Sequence, residues 1–313
     1  MTTYILRRLA WAVPTALVVS LIIFSLLYIT PGDPAAMMAG QDATPEEIET
    51  LRSGLKLDRP FHVRLGEFYW DLAHLDLGDS IRTGDPVIKL IASRLDVTLT
   101  LALLVEGVIL GIGIPLGVIA AWRQNTWIDR GVMVVAVLGF SIPGFWLAFM
   151  AMWLFSLKLG VLPAAGYVPF GEGAWPFFER LILPTAVTGL IGMALLVRMT
   201  RGAMVELLRE DFVRTARAKG LGERVVLFRH ALKAAAPPII TVVGLGFAGL
   251  VTGLVITESV FALPGLGLLL ASAIAARDYP VIQGFILLVS LVYVVVNLLV
   301  DISYAALDPR VRL

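Results

Sequence analysis

The chain has 313 residues, of which 58% are hydrophobic and 16% are charged, and its formal net charge is +1. Soluble domains carry about a quarter charged residues, so this composition and a mean hydropathy of +0.86 indicate an integral membrane protein. The small net charge offers no general basic surface for nucleic acid, and the lack of cysteine excludes disulfides, thiolate metal sites and a cysteine nucleophile.

The first predicted element is a membrane span over 9–29, preceded by Arg7 and Arg8. A cleaved signal peptide is the alternative, because it also begins with positive charge followed by an apolar run. The run is too long for the core of a signal peptide, and no clear cleavage site follows it. These features favour a retained membrane anchor.

A long polar segment, 30–95, follows the first span and contains Pro31-Gly32-Asp33-Pro34. The segment also has aromatic residues able to pack against one another: Phe61, Phe68, Tyr69 and Trp70. Large aromatic side chains dominate the burial energy of small cores. We therefore predict a small external domain or lid here, not a linker.

Five further spans are predicted, over 97–121, 132–157, 181–197, 239–256 and 281–304, each near the roughly 20 apolar residues that cross a bilayer. The 132–157 span is interrupted by Ser141-Ile142-Pro143-Gly144, where proline removes a backbone donor. Broken spans are tolerated where they line protein or water. A kink that lines a pathway and a purely structural kink both remain open.

Six spans place both termini on the same side of the membrane. Arginines of the termini and short loops fall on that side (Arg7, Arg8, Arg123, Arg130, Arg310 and Arg312), which predicts an N-in/C-in topology. The expected organisation is an N-terminal tail and first helix (1–30), an extracytoplasmic segment (31–95), a five-helix core (96–304) and a cytoplasmic tail (305–313). The fold class is an all-α integral membrane protein.

A basic loop over 199–238 lies between the fourth and fifth spans. Its cations are Arg201, Arg209, Arg214, Arg217, Lys219, Arg224, Arg229 and Lys233. Apolar positions predict two short helices, separated by Gly220 and Gly222 and ended by Pro237-Pro238; these positions are Phe212, Ala216, Leu221, Val225, Phe228 and Leu232. A solvated helix pair and a lipid-headgroup contact are alternatives, but the compact amphipathic pattern favours docking onto a partner protein.

Other motifs carry less information. Gly244-x-Gly246-x-x-Gly249 matches a dinucleotide fingerprint in letters only, because it lies inside an apolar span with no preceding strand; close helix packing is the better interpretation.

No phosphate-binding loop of the G-x-x-x-x-G-K-[ST] type occurs, so any ATP hydrolysis would belong to another chain. Glu106 lies within a predicted span, where it is either a pathway residue or a carboxylate paired with a neighbouring helix.

The basic loop resembles the EAA loop of ABC importer permeases, and the whole chain resembles the dipeptide/oligopeptide/nickel permease family. Arg214-Thr215-Ala216 stands at the loop signature in place of the general Glu-Ala-Ala, Gly220 is at the family glycine, and Pro238 lies near the closing proline. Further matching motifs occur in order along the chain: Arg7-Arg8, Pro31-Gly32-Asp33-Pro34, Leu57-Asp58-Arg59-Pro60, Leu77-Gly78-Asp79-Ser80, Ser93-Arg94-Leu95, Ser141-Ile142-Pro143, Leu183-Pro184-Thr185, Thr257-Glu258-Ser259-Val260-Phe261, Pro264-Gly265-Leu266-Gly267 and Arg277-Asp278-Tyr279-Pro280.

This resemblance implies a type I ABC importer permease without catalytic residues or a cofactor of its own. It implies a second, similar permease, two cytoplasmic ATPase subunits that bind ATP and Mg²⁺, an extracytoplasmic binding protein, and a peptide-like substrate. The expected location is the plasma or inner membrane of a bacterium or archaeon. The long 30–95 segment resembles the first of the two paired permeases.

The resemblance also implies roles for particular residues. The implied ATPase-coupling residues are Arg214, Thr215, Ala216, Arg217, Lys219, Gly220 and Leu221, of which Arg217 and Lys219 could pair with acidic groups of the ATPase. The candidates for the translocation pathway are Ser141, Pro143, Phe145 and Glu106.

Three other functions are alternatives. An ion-coupled secondary transporter would need paired intramembrane charges and an inverted repeat, whereas Glu106 stands alone and no clear repeat occurs. A membrane scaffold would not need a docking loop. A membrane-embedded enzyme lacks support from any Ser-His, His-x-x-x-His or paired intramembrane Asp pattern.

Overall fold

The computed structural model describes residues 2–29, 35–36, 43–54 and 57–307. The predicted motif Pro31-Gly32-Asp33-Pro34 and the tail with Arg310 and Arg312 lie outside the described residues. The backbone of the first helix is described, but the side chains of Arg7 and Arg8 are not.

The described chain is built from helices. They are α1 (Thr2–Ile29), α2 (Pro45–Gly54), α3 (Phe61–Ala73), α4 (Val87–Trp122), α5 (Trp127–Ser141), α6 (Gly144–Lys158), α7 (Ala174–Leu207), α8 (Asp211–Ala218), α9 (Glu223–Val225 continuing through Val226–Ala231 and Leu232–Val260), α10 (Leu266–Ala276) and α11 (Tyr279–Leu307). Wider π-helical turns occur within α4 (Ile109–Gly113), α6 (Met152–Lys158) and α9 (Val226–Ala231). The prediction of an all-helical protein is confirmed for this part of the chain.

Four helices of the described residues are long and apolar enough to cross a membrane: α4, α7, α9 and α11. Helices α5 and α6 meet at a bend of 102° and together would make a fifth span. The break lies at Ile142 and Pro143, as the sequence predicted. Within α1, the apolar helical stretch among residues with described side chains is the shorter Val13–Ser25. The sixth span and the N-in/C-in topology therefore stay predictions.

Helix α7 is the centre of the fold, because α4, α5 and α9 all pack against it. The main core joins these helices through fully buried residues such as Leu101, Leu196, Met204 and Leu254. Glycine permits a close approach of α4 and α7: a Cβ on Gly117 of α4 would lie 2.6 Å from the Cβ of Thr200 on α7. Small residues commonly bring membrane helices together in this way.

The glycine motif at 244–249 lies inside α9, as the helix-packing interpretation predicted. Gly244 is where α9 meets α11, since a Cβ there would overlap Val300. A Cβ on Gly246 or Gly249 would meet no described atom within 4 Å. Part of this glycine stripe therefore packs within the chain, and part lies on an open face.

The prediction that Pro237-Pro238 ends a helix is wrong, because α9 continues through both prolines to Val260. Proline in a helix frees carbonyl groups on the preceding turn, and membrane helices tolerate this when local π turns or Ser/Thr side chains compensate. A π-helical stretch, Val226–Ala231, comes just before the pair. The Thr241 hydroxyl also donates to the Pro237 carbonyl at 3.1 Å.

The segment between α3 and α4 is joined to the end of α10 by a polar contact. The Ser80 hydroxyl donates to Asp278 Oδ2 at 2.5 Å, and the Ile81 N–H donates to Asp278 Oδ1 at 3.3 Å. Asp278 follows Arg277, which ends α10 in the left-handed conformation with φ 57°. Two motifs that are distant in sequence thus meet at one buried hydrogen-bonded site.

We predict that Gly117→Ala lowers the stability of the protein, because the new Cβ would overlap Thr200 and lie 3.0 Å from the Val197 carbonyl oxygen. Overpacking of this kind costs about 1–3 kcal/mol. The measurement is the thermal unfolding midpoint of the detergent-solubilised protein. Gly107→Ala on the same helix is the matched control, because its Cβ would meet no described atom within 4 Å. Equal midpoints for the two variants would contradict the close packing.

Candidate functional site

The candidate site is a compact helical segment, residues 208–231, here called the knuckle. It consists of the turn after α7, helix α8 and the first turns of α9. Helix α8 ends in a turn where the Gly220 N–H donates to the Arg217 carbonyl and the Leu221 N–H donates to the Ala216 carbonyl. Gly220 has φ 78°, a conformation that glycine adopts without the penalty of a Cβ, whereas Gly222 has φ −63°. The predicted break at Gly220 is therefore present, and Gly222 precedes the first turn of α9.

The inner face of the knuckle is part of the main transmembrane core. Its buried residues are Val213, Ala216, Val226, Leu227 and Ala231. They belong to the same cluster as Met204 of α7, which is completely buried. The knuckle is consequently packed onto the helix bundle and does not project from it as a free loop.

The outer face of the knuckle exposes large apolar side chains. Phe212, Leu221, Val225 and Phe228 are 42%, 39%, 40% and 44% exposed, respectively. These four residues belong to the six apolar positions from which the sequence predicted two short helices. Of the other two, Ala216 is buried and Leu232 is half-buried. Periodicity could not decide between neighbours such as Phe212 and Val213, and the smaller valine faces the core. The larger phenylalanine is left on the surface.

The charged residues that stand next to these apolar residues in the sequence are called the rim of the knuckle. Arg217 pairs with Glu223 through two hydrogen bonds of 2.8 and 3.3 Å, which tie α8 to the start of α9. Arg214 lies 3.3 Å from Asp211 with a side chain that is 72% exposed, and Lys219 is exposed. Arg224 and Arg229 are also exposed. The rim is therefore mainly basic, and long-range attraction would favour an acidic partner surface.

The coupling residues predicted from the sequence thus have different environments. Ala216 is buried, Gly220 makes the turn, and Thr215 donates its hydroxyl to the Asp211 carbonyl at 2.8 Å. Arg217 pairs with Glu223 and Arg214 with Asp211, and the side chains of Arg214, Lys219 and Leu221 are exposed. Ala216, Gly220 and Thr215 shape the knuckle.

The limits of the predicted basic loop differ from those in the structure. Helix α7 continues to Leu207 and α9 starts at Glu223, so helix extends into both ends of the predicted 199–238 range. Arg201 is consequently on α7, where it forms two hydrogen bonds with Asp129 of α5.

The pathway candidates fall into two places. Ser141 and Pro143 lie at the bend between α5 and α6, and Phe145 is 50% exposed on the first turn of α6. The Ser141 hydroxyl donates to the Val137 carbonyl at 2.8 Å, which leaves the lone pairs of the hydroxyl oxygen as further acceptors. Glu106 is buried on α4 at 8% exposure, and neither of its carboxylate oxygens has a hydrogen-bond partner among the described residues.

The sequence analysis gave Glu258 no role beyond its place in a family motif. Glu258 is completely buried and accepts hydrogen bonds from the Thr98 hydroxyl at 2.6 Å, the Gly267 N–H at 2.7 Å and the Leu268 N–H at 3.1 Å. Its carboxylate therefore satisfies the free N–H groups at the start of α10. A Cβ on Gly265 would overlap this carboxylate, which explains the Pro264-Gly265-Leu266-Gly267 motif that follows Glu258.

Comparison with known proteins shows the family to which the chain belongs. Residues 113–313 match the model of the binding-protein-dependent transport system inner membrane component, and residues 1–102 match the model of the N-terminal part of such a membrane component. An inward-facing structure of the MetNI methionine ABC transporter has the same fold, with a TM-score of 0.58 and 18% identity, covering 71% of this chain and 97% of the matched chain.

Several named relatives match the whole length of the chain. A putative peptide transport system permease protein of Brucella abortus (strain 2308) is 47% identical over 312 residues, which is 100% of this chain and 99% of the relative. A dipeptide transport system permease protein of Alkalihalophilus pseudofirmus is 40% identical, with 100% of both chains covered. A glutathione transport system permease protein of Salmonella choleraesuis is 40% identical, covering 100% of this chain and 99% of the relative. The chain therefore belongs to the peptide permease family of ABC importers, the inner-membrane components of binding-protein-dependent transport systems.

Proposed function

We propose that this chain forms half of the translocation pathway of an ATP-driven importer for peptides or peptide-like solutes, and that its knuckle docks onto a cytoplasmic ATPase subunit. The observation that carries the proposal is the double-faced knuckle. Its inner face is buried in the membrane core, whereas Phe212, Leu221, Val225 and Phe228 remain exposed within a basic rim. Large apolar groups grouped on a surface mark a site of protein contact.

The remaining parts of the transporter belong to other chains. Since this sequence has no phosphate-binding loop, the ATPase partners would bind ATP and Mg²⁺ and hydrolyse the nucleotide. A second permease would complete the pathway, and an extracytoplasmic binding protein would deliver the solute. The names of the peptide, dipeptide and glutathione permeases among the relatives support a peptide-like solute. They do not favour an ion-coupled carrier.

The family membership also supports finer assignments. We assign the bend residues Ser141, Pro143 and Phe145 to the pathway, together with the unpartnered Glu106, because polar and kinked positions inside a bundle are expected where helices face water. We also propose six spans with both termini in the cytoplasm of a bacterium or archaeon, and an extracytoplasmic 31–95 segment. This long segment supports the role of the first permease of the pair.

The docking role is tested by co-purification from native membranes with this chain tagged. We expect a second permease and two phosphate-binding-loop ATPases with the wild type. Phe228→Ser should lower the ATPase yield by about tenfold or more, because truncating an aromatic anchor at an interface costs about 2 kcal/mol. Phe170→Ser is the control, because Phe170 is also an exposed phenylalanine but lies outside the knuckle. Wild-type protein without ATPases, or equal losses in both variants, would refute the docking role.

The geometry of the knuckle turn is tested by Gly220→Ala and Gly222→Ala. A Cβ at either position would meet no described atom within 4 Å, so the two sites differ chiefly in backbone conformation. Alanine at φ 78° costs roughly 1–2 kcal/mol, which should speed amide hydrogen exchange in the knuckle about fivefold or more. Gly222→Ala should leave the exchange rates close to those of the wild type. Identical exchange in both variants would show that the left-handed turn is absent.

The topology is tested with single cysteines, because the chain has none of its own. Glu46→Cys lies on α2 and Ala218→Cys on α8, and both native side chains are exposed. In intact spheroplasts, a membrane-impermeant maleimide should label the first site and should reach the second only after permeabilisation. Labelling of Ala218→Cys in intact spheroplasts would reverse the proposed orientation.

A further inference from the structure

An ion pair between α5 and α7 lies close to the knuckle. Arg201 Nε is 2.5 Å from Asp129 Oδ1, and Arg201 Nη2 is 2.8 Å from Asp129 Oδ2. The Asp129 carboxylate also accepts the Asn125 N–H at 2.9 Å, and the Asp129 side chain is only 4% exposed. Two-pronged arginine–carboxylate contacts fix the relative orientation of both groups as well as their distance.

The surrounding contacts join the end of α4 and the turn after it to the end of α7. Gly117, near the end of α4, lies against Thr200, the residue before Arg201. The turn between α4 and α5 contains Asn125 with φ 65°, and beside it Arg209 Nη2 donates to Gln124 Oε1 at 3.4 Å. The end of α4, the start of α5 and the last turns of α7 are therefore held together.

This group of helix ends is continuous with the knuckle. Met204, one turn beyond Arg201 on α7, is completely buried in the core cluster that contains Val213 and Ala216 of α8. Packed interiors transmit displacement because they have few voids. Movement of the knuckle must therefore displace the α7 end that carries Arg201.

The other end of α5 is the bend with the pathway candidates. From Asp129 to Ser141 the helix is about 18 Å long at 1.5 Å per residue. We infer that the Asp129–Arg201 pair is the joint through which displacement of the knuckle moves α5 and changes the bend at Ser141 and Pro143. The inference rests on the proposed function, which supplies the ATP-driven displacement. Asp129 and Arg201 are positioning residues, since their role requires no contact with solute or nucleotide.

The test uses the complete transporter, purified through a tag on this chain and reconstituted in proteoliposomes. One cysteine reporter replaces Ser141 at the bend, and a second, in a separate protein, replaces Ala218 on the knuckle. The measurement is the rate of maleimide modification with and without magnesium ATP. In the otherwise wild-type protein, we expect ATP to change the rate at both reporters.

The variants Asp129→Asn and Arg201→Gln should separate the two reporters. We expect the ATP response at Ala218→Cys to remain, and the response at Ser141→Cys to fall about fivefold or more, in the range of ordinary coupling energies. Exchanging the charges, by combining Asp129→Arg with Arg201→Asp, should restore much of the response at Ser141→Cys. Arg123→Gln is the matched control, because it removes an exposed positive charge at the end of α4 and should leave both responses intact.

Three results would overturn the inference. If Ser141→Cys still responds fully in Asp129→Asn, the pair does not transmit the movement. If both reporters lose their response and the ATPases no longer co-purify, the pair only holds the fold together. If Arg123→Gln behaves like Arg201→Gln, the effect is one of general charge. A wild-type complex without ATPases, or one in which neither reporter responds to ATP, refutes the proposed function itself and with it the joint.

Discussion

The interior of a bilayer offers no hydrogen-bond partners, so each polar group within the helix bundle must find one inside the protein. Much of this fold follows from that constraint. The Glu258 carboxylate is shared by a hydroxyl of α4 and two N–H groups of α10, which binds three helices at one point. The Thr241 hydroxyl donates to the Pro237 carbonyl in the helix that contains the proline pair. Asp129 and Arg201 neutralise each other where α5 meets α7.

Among the described residues, Glu106 departs from this arrangement, as do the buried hydroxyls of Ser156, Thr185 and Thr200. The two carboxylate oxygens of Glu106 are buried and have no partner in this part of the chain, although an unpaired polar group there costs several kcal/mol. Under the proposed function, a second subunit or water in the pathway would supply the partner of this carboxylate. A permease that forms half of a pathway is expected to have polar positions that only the whole assembly satisfies.

Local patterns were sufficient to predict the long apolar helices, the break at Pro143 and the turn at Gly220. These features depend on length, hydropathy and backbone freedom, which neighbouring residues in the sequence determine. The inward face of α8 was assigned less well, because Phe212 and Val213 are adjacent and both apolar. The helix end at Pro237-Pro238 was wrong, because the local preference of proline was overridden by compensating contacts inside the bundle.

Pairings between distant residues could not be predicted at all. Ser80 and Asp278 are separated by 198 positions, and Asp129 and Arg201 by 72. Both ends of the first contact lie in motifs that were recognised separately, but no local pattern says that they meet. The roles of the candidate residues in coupling and in the pathway depend in addition on partner chains, which one sequence does not contain.

The Glu258 site has a consequence for how the protein is made. Thr98 precedes Glu258 by 160 residues, so α4 is synthesised long before the carboxylate that it will bind. When α9 enters the membrane, its carboxylate is expensive to bury until Thr98 and the first turn of α10 surround it. We therefore expect α9 to reach its final position only after α10 has emerged from the ribosome, and to pack against an α4 that is already in the bilayer.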